Sequence, residues 1–198
     1  MRRGVAEIKQ LTTRPFAVNV FIPNHPMSSL NIQHITQYQL ALNQFRRDLK
    51  LPEETHIPET LVPKDNLSEM IDVILQEQIK ICSFTFGNLP EATIRRLKQH
   101  DVYLIGTATS LEEAKILAAT GIDAIVAQGY EAGGHRGGFL TPEKSALIGT
   151  MALIPQLTQH IEKPIIAAGG IMRGSSAIAA ISLGASGVQM GTAFLATQ

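Results

Sequence analysis

Asp123-Ala-Ile-Val-Ala-Gln-Gly-Tyr-Glu-Ala-Gly-Gly-His-Arg-Gly-Gly138 joins a short apolar run to a loop that holds five glycines. Ala124 to Ala127 are four uninterrupted apolar residues with no polar face to meet water, which predicts a short strand buried on both sides. From Gln128 to Gly138 the chain should form a loop whose backbone can approach a ligand closely, because glycine has no Cβ and tolerates positive φ. Glu131, His135 and Arg136 stand inside it. Of these, imidazole is the side chain suited to exchanging a proton near neutral pH. Loop glycines also serve turning, and a loop histidine is commonly just solvated. The functional reading therefore depends on whether other loops repeat the design.

Two of them do. Ala167-Ala-Gly-Gly-Ile171, followed by Gly174 and the pair Ser175-Ser176, reads as a strand, a Gly-Gly turn and a helix start, a unit that aims backbone N–H groups and the positive end of a helix at an anion. The next strand leaves through Gln189-Met-Gly-Thr192, a second Gly/Thr loop. In (β/α)₈ barrels, phosphate typically binds in the loops after the last two strands. Two consecutive loops of this kind predict a bound phosphate group, with close helix–strand packing as the plain alternative.

Working outward, strands and helices alternate. Residues 3–11 read as a helix bearing Val5, Ile8 and Leu11, and Phe16 to Phe21 as a strand in which Asn19 is the one polar residue. A buried carboxamide without partners costs about 1–3 kcal/mol, so Asn19 should bond to backbone or to a ligand. After a loop at Pro23 to Ser29, an amphipathic helix is expected from Asn31 to Leu49, then a polar, proline-bearing excursion from Lys50 to Asp65. A helix from Leu67 to Gln76 leads to a strand from Ile79 to Phe86. Pro90 should open a helix to Gln99, and Val102 to Gly106 a strand. Ser110-Leu-Glu-Glu113 has the form of a capping box, for a helix that Gly121 ends. Beyond the central loop come a helix from Ala146 to His160, the strand Pro164 to Ala168, a helix from Ser175 to Leu183 and the strand Gly187 to Met190. Such alternation implies parallel pairing and an α/β fold. Six strands suit a doubly wound sheet or a barrel; Asn19, Gln128, Gly169 and Gly191, at or near strand C-terminal ends, favour a TIM-type barrel.

Composition narrows the classes. At 198 residues, 44% of them hydrophobic, the chain can bury a substantial core. Formal net charge is zero and the arginine pairs are isolated, so there is no electrostatic case for nucleic acid. The single cysteine, Cys82, sits in an apolar run and reads as a buried small hydrophobe in a reducing, cytoplasmic setting. No stretch approaches transmembrane length, so no membrane partner is expected. His25, His34, His56, His100 and His160 lack metal-ligand spacing, no Gly-x-Gly-x-x-Gly fingerprint follows a strand, and no Gly-x-Ser-x-Gly elbow is present.

Ala127-Gln-Gly-Tyr-Glu-Ala-Gly-Gly-His-Arg-Gly137, Pro164-Ile-Ile-Ala-Ala-Gly-Gly-Ile171 and Gly187-Val-Gln-Met-Gly-Thr-Ala-Phe194 resemble the signature blocks of nitronate monooxygenases. Phe16-Ala-Val-Asn-Val-Phe21 and Phe84-Thr-Phe-Gly87 are similar to two further strands of that family. The resemblance implies an FMN-dependent TIM barrel that oxidises alkyl nitronates with molecular oxygen to carbonyl compounds and nitrite, a detoxifying reaction. It implies that Asn19, Gln128, Gly133, Gly170, Gln189, Met190, Gly191 and Thr192 contact FMN, the Gly170 and Gly191-Thr192 loops holding its phosphate, and that His135 is the catalytic residue beside the flavin. His135 could hold the nitro oxygens as a cation or take the α-proton of a neutral nitroalkane as a base. Tyr130, Phe139 and Met172 are further residues for the pocket wall or for packing. Set against the family pattern, residues 1–198 are expected to form a single barrel domain with about six of eight strands, lacking the first two and a C-terminal segment. The alternatives are an FMN-dependent enoyl-acyl-carrier-protein reductase and a catalytically silent, truncated barrel that binds phosphate or a partner. Self-association into a homo-oligomer is left open.

Overall fold

Strands and helices alternate along most of the chain. In order they are α1 (Arg2–Leu11), β1 (Ala17–Phe21), α2 (Ile32–Asp48), α3 (Leu67–Gln76), β2 (Ile81–Thr85), α4 (Glu91–Lys98) and β3 (Tyr103–Ala108). Then follow α5 (Leu111–Ala118), β4 (Ala124–Gln128), α6 (Thr150–Thr158), β5 (Ile165–Ala168), α7 (Gly174–Ser182), β6 (Gly187–Gln189) and α8 (Thr192–Leu195). This computed structural model describes residues 1–23, 32–55, 66–140 and 147–197. The expected loop after Pro23, the helix start at Asn31, the polar excursion beyond residue 55, His25, His56 and the expected helix start at Ala146 lie outside the described residues.

The described residues cluster in two compact units, one within Met1–Asn24 and Asn66–Gln198, the other within His25–Asp65. In the smaller unit α2 is joined to the segment after it by Asn43. Its Nδ2 donates to the Glu54 carbonyl at 2.8 Å and its Oδ1 accepts from the Glu54 N–H at 3.0 Å.

In the larger unit the six strands lie in chain order, β1 to β6, and every neighbouring pair is parallel. Parallel neighbours joined by a crossover helix are the βαβ unit, and six in sequence make the sheet of a TIM-type barrel with six of its eight strands. One face of the sheet presents Val20, Cys82, Phe84, Leu104 and Ile125, all buried, to the helices that bring Ile74, Leu97, Leu117 and Leu153. Each such side chain contributes about 1.5–3 kcal/mol by leaving water. Residues of the alternate set, Asn19, Ser83, Thr85 and Thr107, are polar. β4 is buried along Ala124–Ala127 on both faces, as its unbroken apolar run requires.

Local chemistry sets the helix ends. Ser110 caps α5, its hydroxyl accepting from the Glu113 N–H at 3.3 Å. The reciprocal half of the box is shifted by one residue, for the Glu113 carboxylate takes the Thr109 N–H at 2.7 Å. Pro90 is the cap of α4 rather than its first helical residue. Helix α6 begins at Thr150, behind Gly149, which stands extended at the cap position. Gly184, at φ +103°, stops α7. Lys9 pairs with Glu77 at 2.7 Å, and that bond and charge hold the Glu77 carboxyl below its ordinary value.

Candidate functional site

At the carboxyl ends of β4, β5 and β6 the three glycine-bearing loops meet around a cavity of about 320 Å³. Gln128, Gly133, Gly170, Gln189, Met190, Gly191 and Thr192 all line it, together with Glu131, Ala132, Gly134, Gly169 and Met172. These loops come together because β4, β5 and β6 are adjacent and parallel, so their C-terminal ends share one side of the sheet. Gly169 and Gly170 turn at φ +105° and +69°, backbone that favours glycine. Gly133 packs so near Thr192 that a Cβ on it would lie 2.9 Å from the threonine hydroxyl. Among the described residues, the N–H groups of Gly133, Gly134, Gly170, Gly191 and Thr192 donate to no protein acceptor. Unpaired donors on a concave wall are what an anion requires.

The His135 segment is fastened from beneath. Gln128 Nε2 donates to the His135 carbonyl at 2.9 Å, and Gln128 Oε1 accepts from the Gly137 N–H at 2.6 Å. Arg136 reaches back, Nη1 donating to the Gln128 carbonyl at 3.1 Å and Nη2 to the Thr109 carbonyl at 3.4 Å. Burial pulls this guanidinium below its ordinary value, against the charges of Glu113, Glu131 and Tyr130. Glu113, fully buried, closes the far side of the loop: its Oε1 accepts from Phe139 N–H at 2.6 Å and Leu140 N–H at 3.0 Å. Gly137 lies over Thr85 and Thr107, where a Cβ would come within 2.9 Å of each methyl.

The ring of His135 stands edge-on to Phe86, with centroids 6.0 Å apart at 79°, and Phe86 is edge-on to Phe21 at 5.0 Å. Phe86 has φ +71°, an uncommon conformation for a bulky residue that is found disproportionately at functional sites. Asn19 is the middle residue of β1, paired in register with Ser83. Its Oδ1 accepts from Ser83 Oγ at 2.9 Å, and the residue is exposed rather than buried, so its protein partner is the side chain of a strand neighbour and not backbone. Neither Asn19 nor His135 is part of the cavity wall. Met172 is on it, whereas Phe139 packs against the core.

Ser175 and Ser176, expected to share the anion site, line a second cavity of about 350 Å³, which shares Glu131, Gly169, Gly170 and Ile171 with the first. Three contributors escape a linear reading. Phe86 is ordinary until its φ is known; Glu113 was visible only as a cap. Glu131 meets its partner Thr150 across 19 residues, with no local signal. Among the described residues no group of three or more His, Cys, Asp or Glu could hold a metal, and no helix is long and apolar enough to cross a membrane.

A parallel (β/α) sheet with a glycine-walled cavity at its carboxyl ends defines a TIM-type barrel protein whose cavity lies where that fold binds small molecules. The chain belongs to the nitronate monooxygenase family, whose profile matches residues 1–198. A Staphylococcus aureus protein described as a probable nitronate monooxygenase is 45% identical over 192 residues, covering 96% of this chain and 53% of that protein. A nitroalkane oxidase from Streptomyces ansochromogenes, known from crystal structures, superimposes with a TM-score of 0.85 at 36% identity, over 100% of this chain and 55% of its own. FabK from Thermotoga maritima gives 0.69 at 28% identity, over 99% and 47%. The chain thus spans about half the length of the relatives it matches.

Proposed function

We propose that this chain carries the FMN site of an enzyme that oxidises alkyl nitronates with molecular oxygen to carbonyl compounds and nitrite. The observation that carries the proposal is the set of unpaired backbone N–H groups, from Gly133, Gly134, Gly170, Gly191 and Thr192, around one cavity beside His135. The residues fit the cofactor. Glycine at Gly133 and Gly170 lets the cavity-lining loops close on Thr192 and Glu131, where a Cβ would be crowded, and the volume is within the roughly 300–1,000 Å³ of small-molecule sites. Gly170, Gly191 and Thr192 would hold the phosphate; Gly133, Gln189 and Met190 would border the remainder of the nucleotide. Bound there, FMN supplies electron acceptance from the nitronate carbon and electron transfer to dioxygen.

The chain's own side chains do the rest. Gln128 contributes by holding the His135 carbonyl and the Gly137 N–H, which fixes the imidazole's loop beside the cavity. His135 either holds the nitro oxygens as a cation or removes the α-proton of a neutral nitroalkane at a ring nitrogen. Phe86 backs the ring edge-on, and Phe21, edge-on to Phe86, extends that apolar side. Asn19 stands on the same face of the sheet as Ser83, its carboxamide nitrogen available to a ligand. The test is nitronate-driven oxygen uptake with nitrite release by the FMN-loaded chain. His135→Asn should keep FMN and lose most turnover; unaltered turnover would end the assignment.

A further inference from the structure

The loop bearing His135 and the Gly169–Gly170 turn leave different strands, and one side-chain pair joins them. Glu131 Oε2 accepts from the Thr150 N–H at 2.8 Å and lies 2.8 Å from the Thr150 hydroxyl, whose single proton is shared with the Gly169 carbonyl. Thr150 opens α6 behind Gly149, which has no side chain to cap with, so the carboxylate of Glu131 caps the helix from another loop. The same Thr150 Oγ1 lies 2.9 Å from the Gly169 carbonyl oxygen.

Glycine makes this packing feasible at each point. A Cβ on Gly129 would sit 1.9 Å from Thr150 Oγ1, and one on Gly149 3.0 Å from Glu131 Oε1. On Gly170, already at φ +69°, it would sit 3.0 Å from the Glu131 Cβ. Thr150 is only 4% exposed. Glu131, Gly169 and Gly170 border both the first cavity and the second, and Thr150 borders the second.

We infer that Glu131 and Thr150 are positioning residues that lock the Gly169–Gly170 turn in its anion-accepting form, and so set the preference of the first cavity for a phosphorylated over an unphosphorylated flavin. This rests on the FMN reading above. On charge alone a carboxylate beside the cavity repels phosphate, so its removal would tighten FMN; as a brace its removal loosens FMN. The two effects have opposite signs.

Titration of the full chain with FMN and with riboflavin, followed by flavin fluorescence, separates them. Wild type should prefer FMN. Glu131→Ala, which keeps the Cβ against Gly170, should lower FMN affinity roughly tenfold, the loss expected for a charge-assisted hydrogen bond, with riboflavin affinity changed far less. Thr150→Val should act in the same direction, and Thr150→Ser, which retains the hydroxyl, should restore the preference. An unchanged FMN-to-riboflavin ratio in Glu131→Ala and Thr150→Val, an equal loss for both ligands, or tighter FMN binding overturns the brace. A wild-type chain with no preference for FMN overturns the FMN reading itself.

Discussion

Gln128 grips the chain on both sides of Arg136, donating to the carbonyl of His135 at 2.9 Å and accepting from the N–H of Gly137 at 2.6 Å. A single carboxamide at the end of β4 thereby fixes the backbone of the one imidazole in the loop. Gln128→Ala leaves the part-buried Gly137 N–H without its acceptor, at a cost of about 1–3 kcal/mol, and frees the exposed His135 carbonyl. The expected outcome is faster amide hydrogen exchange at Gly137, with little change in α3 or α4. Unchanged protection of the loop would show that Arg136 and Glu113 suffice.

Gly137 is needed for closeness. A methyl there meets the Cγ2 atoms of Thr85 and Thr107, each 2.9 Å away on rigid β-branched side chains. Gly137→Ala should destabilise by about 1–3 kcal/mol in chemical denaturation, the usual cost of overpacking. Thr85→Ser with Thr107→Ser removes both methyls and should recover most of the loss. No recovery would place the strain elsewhere.

Glu131 gives a pH signature. Burial works against its ionised form, but hydrogen bonds from its own N–H and from the Thr150 N–H and hydroxyl, with the Arg136 charge, outweigh burial and hold the carboxyl below its ordinary value of 4.5. A folded-state value below the unfolded one contributes stability that is fully present above about pH 4.5 and is lost as pH falls through the folded-state value. The stability gap between wild type and Glu131→Gln should therefore be constant near neutrality and close in acid. A gap that stays flat or widens as pH falls would contradict the hydrogen-bonded carboxylate.

Much of this was legible in the sequence, for identifiable reasons. Strand order followed from the alternation of apolar runs with capped helices, and the cavity wall from glycines placed after successive strands, both of them local signals. What stayed hidden was long-range or conformational. Asn19 reads as a residue at a strand end because the strand's limits are blurred, yet it lies mid-strand and bonds Ser83. The serines of α7 read as part of the anion site, but they line the second cavity, whereas Gly191 and Thr192 line the first. The start of α6 is set by Glu131, a cap supplied from another loop that no window around Thr150 contains.

Cys82 should be chemically silent in the folded chain. It is fully buried in β2, and burial pushes its thiol up to about 12. A thiol reagent at pH 8 should label nothing in the native protein and one group per chain in denaturant, since the chain has one cysteine. Rapid native labelling would mean that β2 opens readily.

The proposed flavin site has one direct test, the visible spectrum of the purified 198-residue chain passed through a desalting column after incubation with FMN. Co-elution of protein with a perturbed flavin band is the expected result, and would show that the loops after β4, β5 and β6 hold the cofactor. A colourless protein that takes up no FMN would contradict the assignment of this cavity.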